Sequence, residues 1–174
     1  MINYFAIFSN TLKNFHDASK WSGAPFANIK VISNTKVGDV GQHYIETICE
    51  QLGFKWDFPR NRDGSRATQS PWDIVVNGVR FELKTATEDV SCAYQFNHIR
   101  YHRDYDAVIC LGVSPDNLFF NVWSKADITT GKAGKLVSME KGANASYKLT
   151  KRPGELLEID QFHKVLVKFI RKFR

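Results

Sequence analysis

The chain has 174 residues, of which 43% are apolar and 24% charged, with a formal charge of +6. That is enough for one domain with its own core and no disulfide or metal staples, and no apolar run approaches the ~18–20 residues that cross a bilayer as a helix. The basic balance favours a polyanionic partner, either nucleic acid or an acidic membrane surface. Cys49, Cys92 and Cys110 are odd in number, widely spaced and set among apolar residues, so they read as reduced core positions rather than a disulfide or zinc framework. His43, His98 and His102 have no ligand-like spacing with any cysteine pair. The N-terminus lacks the charged region and small-residue cleavage site of a secretory signal, so a cytoplasmic protein is expected. Neither repeat nor linker divides residues 1–174, which are expected to form a single domain.

Residues 3–20 can form an amphipathic helix, followed by a loop through Trp21-Ser22-Gly23-Ala24-Pro25. A second helix is expected from about Val40 to Leu52. Asp39 is placed to cap it and Gly53 to end it in a left-handed conformation; Val40, Tyr44, Ile45, Ile48, Cys49 and Leu52 share one face. Phe54 to Phe58 reads as a short aromatic strand, and residues 59–69 (PRNRDGSRATQ) as a polar loop with three arginines. Two β-rich runs around Asn77-Gly78 predict a hairpin with a two-residue type I′ turn. Residues 92–101 read as a short helix that Phe96 and Ile99 could pack on a sheet. Ala107 to Val113 and Leu118 to Trp123 are expected strands, turned at Ser114-Pro115-Asp116-Asn117. The stretch from Gly131 to Pro153 is basic and rich in Gly, Ala and Ser, and residues 159–173 close the chain as a basic amphipathic helix. Helix, strands and helix in one unit give an α/β domain.

The hairpin carries the chemistry. A two-residue turn at 77–78 sets Val76 opposite Val79, Val75 opposite Arg80, Ile74 opposite Phe81, and Asp73 opposite Glu82. Lys84 points the same way as Glu82 because strand side chains alternate with period two. Ile74, Val76, Phe81 and Leu83 are left to anchor the opposite face in the core. Two close carboxylates repel unless a cation neutralises them, and Mg²⁺ is commonly held by one or two carboxylates plus phosphate oxygens. A lysine beside such a cation suits a transition state that accumulates negative charge. The same three residues would also suit a surface ion-pair cluster.

The string Ser70-Pro71-Trp72-Asp73, then eight residues, then Glu82-Leu83-Lys84, resembles the PD-(D/E)xK signature of the restriction-endonuclease-like nuclease superfamily. The likeness spans about residues 36–125, with a helix ahead of the hairpin as in that family. Gly38-Asp39-Val40-Gly41-Gln42 resembles the family's G-x-x-G-E opening, with Gln42 in place of the glutamate that helps hold metal there. Glu46, one turn later, could substitute. The resemblance implies a restriction-endonuclease-like fold, a mixed central β-sheet flanked by helices. It implies Mg²⁺-dependent DNA cleavage (Mn²⁺ substituting), with Asp73, Glu82 and Lys84 as the centre and Glu46 and Gln42 as lesser candidates. The nearest description within it is a type II restriction endonuclease acting on double-stranded DNA as a homodimer. A structure-specific repair or recombination nuclease, a nuclease toxin acting on RNA and a non-catalytic DNA-binding module are the alternatives.

Three segments are candidates to touch DNA. Arg60, Arg62 and Arg66 sit in the loop entering the hairpin, and their planar forks suit phosphates and guanine edges. Gln95, Asn97, His98, Arg100 and Arg103 carry groups able to read base edges. Lys148, Lys151 and Arg152, in the basic stretch, suit sequence-independent phosphate attraction.

Overall fold

The computed structural model describes residues 3–13 and 20–173. Tyr4–Lys13 forms helix α1, exposed along its side chains as far as Thr11; residues 14–19 of the expected first helix lie outside the described residues. Helix α2 runs over Asn34–Gln51, six residues longer at its start than expected. Ser33, not Asp39, is its cap, with its hydroxyl accepting from the Lys36 amide at 3.4 Å. Gly38 and Gly41 both lie inside this helix. At Gly41 the reason is packing: an added Cβ would lie 1.8 Å from the Thr85 hydroxyl oxygen, so only glycine lets α2 lie this close to the sheet. Gly53 ends the helix at φ +72° as expected.

Strand β1 is only Trp56–Asp57, shorter than the expected 54–58 run. Strands β2 (Ile74–Val76) and β3 (Val79–Thr87) form the hairpin in the expected register. Asn77 and Gly78 both adopt positive φ, 47° and 91°, as a type I′ turn requires. Ile74, Val76 and Phe81 are fully buried. Strand β4 (Tyr94–Ile99) replaces the expected helix over 92–101. Tyr94 and Phe96 face inward and Gln95 and Asn97 outward, a period of two. A bulge between Phe96 and Ile99 then separates these buried residues by three positions, which is the spacing that imitated a helix.

Strands β5 (Ala107–Val113) and β6 (Leu118–Ser124) form as expected. A short helix α3 (Lys125–Thr129) follows, then strands β7 (Leu136–Glu140), β8 (Ser146–Lys151) and β9 (Leu157–Glu158), and helix α4 (Phe162–Ile170). The basic stretch is therefore largely sheet. The central sheet has the order β1-β2-β3-β5-β6-β9, mixed because β3 and β5 are parallel while its other pairs are antiparallel. Arg80 locks the parallel pair at its base, with Nε and Nη2 donating to Asp106 at 3.1 and 2.9 Å and Nη1 to Asp104 at 2.6 Å. One face of the sheet buries Ile45 and Cys49 of α2 and Phe162, Leu166 and Ile170 of α4. The opposite face is covered by a second sheet, β4-β8-β7, through Tyr94, Phe96, Ile99 and Leu149. With both sides covered, β5 is buried throughout, and its unbroken apolar run is what such a strand needs. The fold is thus a mixed α/β arrangement with α2 and α4 on one side of the central sheet and a small sheet on the other.

Of the cysteines, Cys49 and Cys110 are core residues, and burial pushes the Cys49 thiol up to about 12. Cys92 departs from expectation: it is exposed, at φ +56° in the turn before β4. Among the described residues no helix is long and apolar enough to cross a membrane.

Candidate active site

Asp73 extends the hairpin one residue beyond the β2 ladder, its amide donating to the Phe81 carbonyl at 2.9 Å. Its Oδ2 accepts from the Leu83 amide at 2.7 Å, which fixes the carboxylate against β3. Burial raises the Asp73 pKa, while the Leu83 N–H and the Lys84 charge pull it down, Glu82 pushes it up again, and Arg103 lowers it. These four charged groups therefore share one electrostatic neighbourhood. Glu82 is 5% exposed. Its Oε1 lies 2.7 Å from the Lys84 ammonium, and its Oε2 is buried without a hydrogen-bond partner. Glu82 and Lys84 meet as strand alternation predicts. The ladder, however, ends at Ile74 and Phe81, and Asp73 reaches Glu82 and Lys84 through the Phe81 carbonyl and the Leu83 amide rather than by pairing with Glu82.

Two further neighbours are not expected at this centre from the sequence, which offers Arg103 as a base-edge candidate and does not single out Tyr105. Arg103 donates from Nη1 to the Ser70 carbonyl at 3.3 Å and lends its charge to Asp73. Tyr105 is 2% exposed, and its buried hydroxyl faces Glu82, which together with burial raises its pKa. Both reach the hairpin because Glu82 pairs with Val108 across the parallel β3–β5 ladder. That pairing is non-local, and no local pattern around 103–105 signals it.

The helix candidates form a separate knot. Glu46 is 5% exposed and takes the Arg66 guanidinium at 2.7 Å, the Gln42 amide at 3.1 Å and His43 at 3.5 Å. Among the described residues, no hydrogen bond or ion pair joins Glu46 or Gln42 to Asp73 or Glu82. Arg66 is correspondingly occupied, stacking 4.1 Å over the Phe58 ring as well. Arg60 covers the same ring at 4.0 Å and pairs with Asp57 at 2.9 Å. Among the described residues, Arg62 alone of the three loop arginines is exposed without a partner.

Beyond the hairpin, Lys84 opens into a cleft of about 450 Å³ whose other walls include Asn34, Gly38, Gln95, Asn97 and His98. Arg100 is instead drawn to Glu140 at 3.5 Å, with its Nε buried. Lys151 is turned inward, 11% exposed, paired with Glu155 at 3.1 Å and lying over Trp123. Arg152 is exposed, and Lys148 lies 3.4 Å from the Gln95 carbonyl. Arg60, Arg66, Arg100 and Lys151 thus have intramolecular partners in place of the free charges expected of them.

Comparison with solved structures finds a similar fold in a bacterial homing endonuclease, I-Ssp6803I. The likeness covers 82% of this chain and 99% of that one, at a TM-score of 0.52 and 13% identity. The fold is similar to that of a nuclease. At this identity the homing endonuclease speaks for the fold alone. No family model and no curated protein matches the sequence.

The site fits a divalent cation of the Mg²⁺ kind. The buried Glu82 carboxylate is met by Lys84 on Oε1 and faces the Tyr105 hydroxyl, and burial raises the pKa of the half-buried Asp73 carboxylate beside it. Among the described residues no group of three or more His, Cys, Asp or Glu is arranged to hold a metal. Two carboxylates completed by water and phosphate oxygens are a hard-cation set rather than a zinc set.

Proposed function

We propose that the chain is a Mg²⁺-dependent DNA endonuclease cutting at specific sequences, of the restriction type, with Asp73, Glu82 and Lys84 at its centre. The observation that carries this is the hairpin pair of carboxylates beside a lysine, Asp73 and Glu82 within reach of the Lys84 ammonium. Asp73 and Glu82 would hold the cation. Once bound, it supplies Lewis acidity to the phosphate and a lowered pKa to the attacking water. The Leu83 amide keeps Asp73 from rotating away, so little reorganisation is needed on substrate binding. Lys84, aligned by Glu82 Oε1, presents its ammonium where negative charge grows on the phosphate. Arg103 offers a second positive group on the Asp73 side. A symmetric site cut on both strands calls for two copies of the chain related by a two-fold axis.

The test is cleavage of supercoiled plasmid by the purified protein with Mg²⁺, with Mn²⁺ and with chelator. Discrete fragments are expected with either metal and none with chelator. Asp73→Ala and Glu82→Ala are expected to remain folded and inactive. Lys84→Ala should still bind DNA but lose about 10²–10³ in turnover, the usual cost of one transition-state electrostatic group. Undiminished cutting by either carboxylate variant overturns the assignment.

A further inference from the structure

The small sheet has two unlike faces. Tyr94, Phe96 and Leu149 face the central sheet and are fully buried. Register puts the remaining side chains on the other face: Gln95 is paired with Thr150, and Val137 with Lys148. Gln95, Asn97, Thr150 and Val137 are exposed there. The bulge after Phe96 places Asn97 and His98 together in the wall of the cleft that Lys84 enters, with His98 at φ +57°. Bulges beside active sites commonly re-aim a side chain. Gln95 is already oriented, its amide donating to Asp89 at 3.0 Å while its carbonyl accepts from Lys148 at 3.4 Å. The Asn97 amide makes no hydrogen bond within the described residues.

We propose that this outer face is the base-reading surface, lying in the DNA major groove beside the scissile phosphate, with Gln95, Asn97, Thr150 and Lys148 as its specificity residues. The proposal rests on the endonuclease reading above and adds where the sequence is read. The dimensions agree: all four residues lie on the adjacent pair β4 and β8, and the major groove admits a two-stranded β-ribbon. The chemistry agrees as well. A face meant only to attract phosphate would carry mainly Lys and Arg. This one carries two amides suited to adenine, a hydroxyl with a methyl group suited to several edges, and one lysine suited to guanine. It is also continuous with Lys84 through the shared cleft, so a base contact and the reacting phosphate fall within one bound segment.

The experiment selects bound duplexes from a pool with a randomised central segment, using the full-length protein with Ca²⁺ in place of Mg²⁺. The wild type is expected to yield a defined motif. Gln95→Ala and Asn97→Ala should each erase an adenine preference at one position, and Lys148→Met a guanine preference. Thr150→Val should relax a third position while keeping the shape of the strand. Each should lower affinity for the selected site on the order of ten- to a hundredfold and leave a scrambled duplex unaffected. Because these groups lie outside the core, unchanged circular dichroism is the control for folding. A wild type without any motif, variants that select the wild-type motif, or equal losses on both duplexes would overturn the proposal. Plasmid cleavage with Mg²⁺ separates the two readings. Discrete cutting with an unaltered motif in the variants removes the reading face alone, whereas altered motifs without any cutting remove the nuclease alone.

Discussion

Asp73 shows how one carboxylate can be costly for folding and useful for chemistry. Its pKa is raised above the ordinary 3.8 chiefly by burial, against the pull of the Leu83 amide and Lys84. A carboxyl whose folded pKa is raised binds its proton more tightly in the folded state than in the unfolded chain. Its contribution to stability is therefore fully present below 3.8 and is lost as the pH rises through the folded value. Asp73→Asn keeps an oxygen for the Leu83 amide and removes the charge. In metal-free protein the variant should be the more stable form at neutral pH, and the difference should close as the pH falls. Denaturation midpoints of both proteins from about pH 4 to about pH 8 would show it. Adding Mg²⁺ should stabilise only the wild type, since binding to the native state alone raises stability. A gap that stays constant with pH would mean that burial does not govern this group.

Helix α2 and strand β3 meet at Gly41 and Thr85, next to Lys84. Helix propensity alone makes Gly41→Ala favourable by about 1 kcal/mol. The added Cβ would meet the Thr85 hydroxyl oxygen at 1.8 Å and the Thr85 Cβ at 2.8 Å, which no rotamer of a β-branched residue fully relieves. Overpacking of this kind costs about 1–3 kcal/mol or more, so the clash wins. Gly41→Ala is expected to be destabilised, and adding Thr85→Ala should recover part of the loss because the two changes are coupled. Urea denaturation of the single and double variants would measure this, and a Gly41→Ala protein as stable as the wild type would exclude the close approach. The other glycine of the opening behaves differently: Gly38 has open space beside it and lines the cleft.

At the scale of the molecule, the +6 charge sets long-range attraction to DNA, but only cations without internal partners can exchange counterions for phosphates. Among the described residues, Arg62 is exposed and unpartnered, on the loop that enters the hairpin. Lys151 is committed to Glu155 and Trp123. Arg62→Ala should therefore flatten the salt dependence of binding to a non-specific duplex by about one unit, while Lys151→Ala leaves the slope nearly unchanged. Affinity at several salt concentrations decides it, and the opposite ranking would mean that Lys151 leaves Glu155 to meet DNA.

The candidate centre was legible in the amino-acid order because every step that builds it is local. Asn77-Gly78 determines the turn, the turn determines the register, and period-two alternation then puts Glu82 and Lys84 together, with Asp73 held beside them by the Leu83 amide. The strands over 107–113 and 118–124 were legible for the same reason, as apolar runs bounded by a turn. Tertiary structure decided what depends on partners distant in sequence. Pairing with β8 made residues 94–99 a strand, and its bulge accounts for the helix-like spacing. The parallel β3–β5 ladder brought Arg103 and Tyr105 to the hairpin. Glu46 was drawn to Arg66, twenty residues on, because a buried carboxylate takes the nearest cation the fold supplies. Local propensity carries no term for such pairings, since their energy exists only once the chain has brought the partners together.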